Sequence, residues 1–118
     1  MAASHYIKAG QEIDWEKAID LTARAFEAIE KRNSSEPSIL WNVNLPHGSP
    51  YGEGEPELIF CEPENEPLHV DFREHEDGKE IIYTGNYHSR PRSEGGDVAV
   101  CFGGDIAICE IDIRGNTK

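Results

Sequence analysis

The sequence predicts an α/β fold, and three observations carry that prediction. Residues 14–33 have the three- and four-residue apolar spacing of an amphipathic helix. Residues 39–45 alternate with the period of a strand and stop at Pro46. The carboxyl-terminal third then carries short β-forming runs separated by glycine turns. With 118 residues and 37% hydrophobic composition the chain makes a single domain over 1–118, able to bury one core.

In chain order, "SHYIKAG" reads as a short strand end running into a turn at Gly10. In the helical run, Asp14 is placed to cap the first turn and Glu16 sits at its positive end. Trp15, Ala18, Ile19, Thr22, Ala25, Phe26 and Ile29 form the apolar stripe expected to be buried, and Lys31, Arg32 and Asn33 close the helix. In "SILWNVNLP" the alternation of Ile39, Trp41, Val43 and Leu45 predicts a strand, and Leu40 makes its start apolar on both faces, as in a central strand.

Residues 47–96 read as an irregular excursion followed by a hairpin arm. The excursion, His47 to Glu66, is rich in Gly, Pro and Glu and holds one apolar run, "ELIFC", that needs somewhere to pack. The arm is "PLHVDFREHEDGKEIIYTG": Leu68, Val70 and Phe72 share a face, Asp77-Gly78 makes the turn, and the chain returns through Ile81 to Tyr83. A second hairpin is expected from "DVAVCF" and "DIAICEIDI" around Gly103-Gly104. That pairing sets Cys101 opposite Ile106 and Cys109 opposite Val98, with the two thiols on opposite faces and no disulfide between them. The tail "RGNTK" is expected to fray. With one helix and one central strand in sight, the strand at 39–45 is expected to lack a covered neighbour on at least one side, as though part of a parallel sheet preceded it.

The formal charge of −12, from 23 acidic against 11 basic residues, repels phosphate backbones and argues against nucleic-acid binding. No stretch approaches the roughly 20 apolar residues of a membrane span, and "MAASHYIKAG" lacks the apolar core of a signal peptide. The chain therefore reads as soluble and cytoplasmic, with Cys61, Cys101 and Cys109 as reduced thiols.

Few residues propose chemistry. The five histidines lie on separate elements without zinc spacing, and there is no nucleophile elbow or phosphate-binding loop, so no catalytic or metal-ligating residue is assigned. His69 and Asp71 share a strand face with Arg73, a salt-bridged outer face that a cation would avoid. Asn42 and Asn44 share a face near the carboxyl end of their strand, where open α/β sheets place ligands, or else satisfy local loop backbone. His88, Arg90 and Arg92 in "YHSRPR" form the dense positive group, suited either to phosphate or to pinning a chain segment or subunit through ion pairs.

Three stretches, "SHYIKAGQEIDWEKA", "LWNVNLP" and "YHSRPRSEGGDVAVCFGGDIAI", together with their order, resemble the carboxyl-terminal part of SurE-type proteins over about Ala2 to Ile113. That family comprises metal-dependent phosphatases acting as 5'/3'-nucleotidases on nucleoside monophosphates. The resemblance implies part of a three-layer, Rossmann-like α/β/α fold with extended carboxyl-terminal hairpins that join subunits into homo-oligomers. It implies a divalent metal, magnesium or manganese, for the full-length family. The family's "NDDG" metal motif and its glycine- and serine-rich substrate loops do not occur in these 118 residues, so this chain is expected to bind no metal itself. Two expectations stand: part of a nucleotidase, inactive without a missing amino-terminal half, or a non-enzymatic oligomerisation or binding module derived from the family. The "AICEIDI" ending departs from the family's usual closing strand.

Overall fold

The first helix starts where the capping residue sets it. In the computed structural model, which describes residues 1–7, 10–32, 39–47, 54–66, 72–83 and 91–114, helix α1 spans Trp15–Lys31. The Asp14 carboxylate accepts the Lys17 N–H at 3.0 Å, satisfying one of the orphan donors of the first turn. Strand β1, Ala2–His5, precedes the helix, and β2, Ile39–Leu45, follows it. The two strands pair in parallel, Ala2 beside Asn42 through His5 beside Leu45, so β1–α1–β2 is one parallel crossover unit.

Strand β3 is Leu58–Phe60, the apolar run inside the expected excursion. β4 (Phe72–Glu74) and β5 (Ile81–Tyr83) form a separate antiparallel hairpin, the one expected of the arm, with Phe72 and Tyr83 as register partners. Its turn is closed by the His75 N–H donating to the Glu80 carbonyl at 2.8 Å, with Gly78 at φ 68°, a left-handed backbone that glycine adopts without strain. Leu68 and Val70 of that arm lie outside the described residues.

The expected closing hairpin is corrected. "DVAVCF" forms a short helix, α2 (Asp97–Phe102), and only the second run is a strand, β6 (Ile106–Asp112). A two-residue hairpin turn of the favoured type needs positive φ at both positions. Gly103 instead lies at φ −77°, as the helix C-cap, and only Gly104, at φ 101°, is left-handed. The pair is a helix stop. In so short a run the alternation Val98, Val100, Phe102 does not separate strand from helix. The expected pairings of Cys101 with Ile106 and Cys109 with Val98 therefore do not form; Cys109 lies opposite Asn42.

The main sheet has the order β1-β2-β6-β3, with β6 antiparallel to β2 and parallel to β3. The expectation that β2 lacks a neighbour is overturned: β1 and β6 flank it, because the closing segment returns to the centre of the sheet. The open position is instead the outer edge of β1, which among the described residues pairs with β2 alone.

Strand alternation sorts the sheet into two faces. Trp41, Val43, Leu45, Ile106 and Ile108 meet Ala18, Leu21 and Ala25 of α1 in the core, with Leu58 and Phe60 of β3 packed alongside. The opposite face carries Asn44 and Cys109, and there α2 packs, with Val98 and Cys101 buried. The result is helix, sheet and helix in three layers. One part of the helix prediction fails: Leu21 is fully buried while Trp15, Ile19 and Phe26 are 67%, 71% and 49% exposed. The apolar arc of α1 is wider than the sheet beneath it, and the sheet takes the side centred on Leu21.

A polar cleft at the ends of the parallel strands

The carboxyl ends of β1 and β2 and the start of α2 enclose a cleft of about 510 Å³ lined by Ser4, His5, Tyr6, Asn42, Asn44, Glu64, Asp97 and Phe102, among others. Asn42 and Asn44 both line this cleft. Asn44 has both ends of its amide engaged: Oδ1 accepts from Ser4 Oγ at 2.7 Å, and Nδ2 donates to Asp97 Oδ2 at 3.1 Å. Asp97, in the first turn of α2, accepts the Glu64 N–H on its other oxygen at 2.9 Å. Its own N–H donates to the Glu62 carbonyl. A continuous polar line therefore runs from β1 across β2 to α2 and into the 62–66 loop.

Glu64 extends that line. Its carboxylate accepts the Glu66 N–H at 2.9 Å, the Ser93 N–H at 2.9 Å and the Ser93 hydroxyl at 2.8 Å. These donors, the Glu66 N–H foremost, hold its pKa below the ordinary glutamate value by favouring the charged form. The loop is thereby tied to the segment that leads into α2.

The aromatic side of the cleft is built from β1 and the end of β2. His5 Nδ1 lies 2.7 Å from the Tyr6 carbonyl, which accepts, so that nitrogen carries the proton. The His5 and His47 rings meet edge-on at 5.6 Å, and Tyr6 packs tilted against Phe102 with ring centroids 4.4 Å apart. Arg92 lies over the Phe102 ring, its guanidinium carbon 4.7 Å from the centroid. His88 and Arg90 fall outside the described residues, as do His69 and Asp71.

Spacing alone pointed to Asn42, Asn44 and Arg92 but missed Ser4, Glu64, Ser93 and Asp97. Asp97 had a signal, an acidic residue directly after Gly96 at a helix start, hidden by reading the run as a strand. Glu64 and Ser93 are brought together by loop closure and leave no pattern in the chain. Among the described residues no group of three His, Cys, Asp or Glu side chains could hold a metal ion. The cleft's own acids, Asp97 and Glu64, are already occupied by N–H donors, which suits structural carboxylates better than metal ligands.

The thiols sit beneath this site. Cys101 Sγ lies 3.5 Å from the Leu45 carbonyl, and Cys61 and Cys109 Sγ are 3.8 Å apart, all three as free thiols. Burial pushes the Cys101 thiol up to about 12 and raises that of Cys109 strongly.

A three-layer α/β/α chain with a polar cleft at the carboxyl ends of its parallel strands is of the Rossmann-like class. No model of a protein family matches the chain. Two curated relatives bear the name "Putative 5'-nucleotidase alr3139": one from Nostoc sp. (strain PCC 7120), 47% identical over 96% of this chain, and one from Synechocystis sp. (strain PCC 6803), 40% identical over 96%. The chain spans about half the length of these relatives, 48% of each. The crystal structure of the SurE protein from Aquifex aeolicus superposes with a TM-score of 0.59 at 16% identity, over 98% of this chain and 46% of that one. Over part of its length the chain has the fold of that SurE protein. Among the described residues no helix is long and apolar enough to cross a membrane.

Proposed function

We propose that this chain is the carboxyl-terminal, site-walling part of a SurE-like 5'-nucleotidase, a phosphatase that hydrolyses nucleoside monophosphates to nucleoside and phosphate. The observation that carries the reading is 47% identity over nearly the whole chain to a relative named as a 5'-nucleotidase. In this reading the divalent metal, magnesium or manganese, is held by the family's amino-terminal half, and this chain alone does not catalyse the reaction. Hydrolysis of a phosphate monoester calls for a cation to offset charge and orient water. The residues described here do not fit one.

This chain's own contribution is positional. The Ser4–Asn44–Asp97–Glu64 line locks the strand ends to α2 and the loop, with Asn42 at the cleft wall, where its amide can meet a substrate. Arg92, with His88 and Arg90, serves to pin segments or subunits, or to meet phosphate. A reducing, cytoplasmic setting belongs to the proposal, in keeping with three free thiols.

The test is phosphate release from a nucleoside monophosphate with added magnesium or manganese. This chain alone is expected to release none above the uncatalysed background, and the chain together with the half of the Nostoc relative outside the matched stretch is expected to release it. Turnover by the lone chain would sink the proposal. The second reading, a non-enzymatic assembly module, is favoured by one observation: the β4–β5 hairpin exposes Phe72 and Ile81 at 61% and 74%. It gains if the completed pair is also inactive while the hairpin still joins copies.

A further inference from the structure

We infer that Cys61 and Cys109 form a peroxide-sensitive dithiol, which closes into a disulfide joining the end of β3, and the 62–66 loop after it, to the interior strand β6. The inference stands apart from the nucleotidase reading. It needs only the two sulfurs and the strands that carry them.

Strand register brings the two thiols together. β3 runs parallel to β6 with Phe60 beside Ile108, so the next residues along, Cys61 and Cys109, are neighbours on one face. The ladder reaches that far, since the Cys61 N–H donates to the Ile108 carbonyl at 2.9 Å. Adjacent strands lie roughly 4.7–4.9 Å apart, inside the span of about 4.4–6.8 Å between α-carbons that a disulfide bridges. The sulfurs are already 3.8 Å apart, both as free thiols. A rotation of either side chain, with the strands left in place, can close that gap. The third thiol is held elsewhere: Cys101 Sγ lies against the Leu45 carbonyl at 3.5 Å.

The pair is asymmetric, as a reacting and a resolving thiol should be. Cys61 is part-exposed and Cys109 is fully buried, so oxidant meets Cys61 first. In the first step the Cys61 sulfur takes an oxygen atom from hydrogen peroxide, giving a sulfenic acid and water. In the second the Cys109 sulfur attacks the Cys61 sulfur. The S–S bond forms, the S–O bond breaks, and hydroxide leaves with the Cys109 proton as a second water. Two electrons pass from the thiols to the peroxide, and a dithiol such as dithiothreitol returns them to the disulfide. Burial, with Asp97 adding to it, raises the pKa of both thiols. Thiolate is therefore scarce, and closure takes on the order of minutes to hours. Contact between the sulfurs, not an activated thiolate, selects the pair.

The bond acts on the cleft. Cys61 opens the loop whose Glu62 carbonyl accepts the Asp97 N–H and whose Glu64 carboxylate holds Ser93. Cys109 lies opposite Asn42, a residue of the cleft wall. Oxidation thus anchors the loop to the sheet by a covalent bond in addition to its hydrogen bonds. It also closes a segment with 48 positions between the partners, which restricts the unfolded chain and stabilises the folded one.

The test is to treat the folded chain with hydrogen peroxide at neutral pH, alkylate the remaining thiols in denaturant, and map the disulfides by peptide mass. The expected product is a chain lighter by two hydrogens, with Cys61 joined to Cys109, Cys101 alkylated, and full reversal by dithiothreitol. Its urea midpoint should rise above that of the reduced chain, and reductant should remove the difference. In Cys109→Ala, which lacks the resolving thiol, Cys61 should instead pass on to sulfinic acid, whereas Cys101→Ala should close as the unchanged chain does. If Cys109→Ala does not fold, the mapping of the unchanged chain decides alone. Oxidation of the unfolded chain gives the comparison, since there the short Cys101–Cys109 loop is favoured. Selective Cys61–Cys109 pairing is therefore the mark of the folded arrangement. Pairing with Cys101 in the folded chain, bonds only between copies, sulfinic acid at Cys61 of the unchanged chain, or no bond at all would each overturn the inference. So would a lowered urea midpoint, because the sheet would then have to distort to make the bond.

Discussion

At the scale of single residues, the cleft is held by carboxylates and amides used as connectors. Asn44 both accepts from Ser4 and donates to Asp97, so Asn44→Leu removes two hydrogen bonds, one exposed and one part-buried, and takes the amide donor from Asp97 Oδ2. A destabilisation of about 1–3 kcal/mol is expected, measured by urea unfolding; an unchanged midpoint would show that the line carries no stability. Glu64 makes a pH prediction. Its folded pKa is lowered, chiefly by the Glu66 N–H and further by Ser93. Its contribution is therefore fully present above the ordinary value of 4.5 and is lost as pH falls below it, through the folded value. Glu64→Gln should flatten the acid limb of a stability–pH curve in that window and leave its neutral-to-alkaline limb parallel to the unchanged chain. The thiols give a third expectation. With Cys101 pushed up to about 12 and Cys109 fully buried, a thiol reagent at pH 8 should reach Cys61 alone, and slowly, in the folded chain. All three should react in denaturant. Rapid native labelling of all three would contradict the buried arrangement.

At the scale of elements, α1 shows what periodicity can and cannot decide. Asp14 and the helix extent were legible because capping is local chemistry. Which side faces the sheet was not, since Trp15, Ile19 and Phe26 satisfy the spacing as well as Leu21 does. A pair of substitutions separates the two sides. Leu21→Ala should cost about 2–5 kcal/mol, the range for truncating a buried leucine, whereas Trp15→Ser should change the isolated chain's stability by no more than about 0.5 kcal/mol. Equal losses at both positions, read from thermal or urea unfolding, would restore the Trp15 side as the buried one. β2 and the β4–β5 hairpin were legible for the same local reasons, alternation and turn residues. α2 was not, because its six residues span fewer than two turns and sit between glycines that serve a helix stop as readily as a hairpin. The cleft was half legible: Asn42 and Asn44 declare a face by spacing, whereas Asp97, Glu64 and Ser93 meet only through tertiary closure.

At the scale of the whole molecule, two apolar surfaces stand out among the described residues, and they differ in kind. The α1 face exposes Trp15, Ile19 and Phe26 on the helix that crosses from β1 to β2, a strand that among the described residues is paired on both sides. The β4–β5 hairpin has no helix above it among the described residues, and its exposed Phe72 and Ile81 lie on a two-stranded ribbon of the sort that is marginal in isolation. A ribbon of that kind gains most from another ribbon, so the self-association proposed for this chain belongs to the arm and not to α1. Sedimentation velocity across a concentration series should then show the unchanged chain passing to larger species. Phe72→Ser/Ile81→Ser should hold it at the monomer mass, and Trp15→Glu should leave the transition where it was. The reverse pattern, with the hairpin variant still associating and the α1 variant monomeric, would transfer the homotypic contact to α1. It would also remove the grounds for treating the arm as an assembly element. The hairpin variant should keep its unfolding free energy within about 0.5 kcal/mol, since exposed positions contribute little to a folded monomer. Loss of association without loss of stability is therefore the signature that distinguishes a contact surface from a misplaced core.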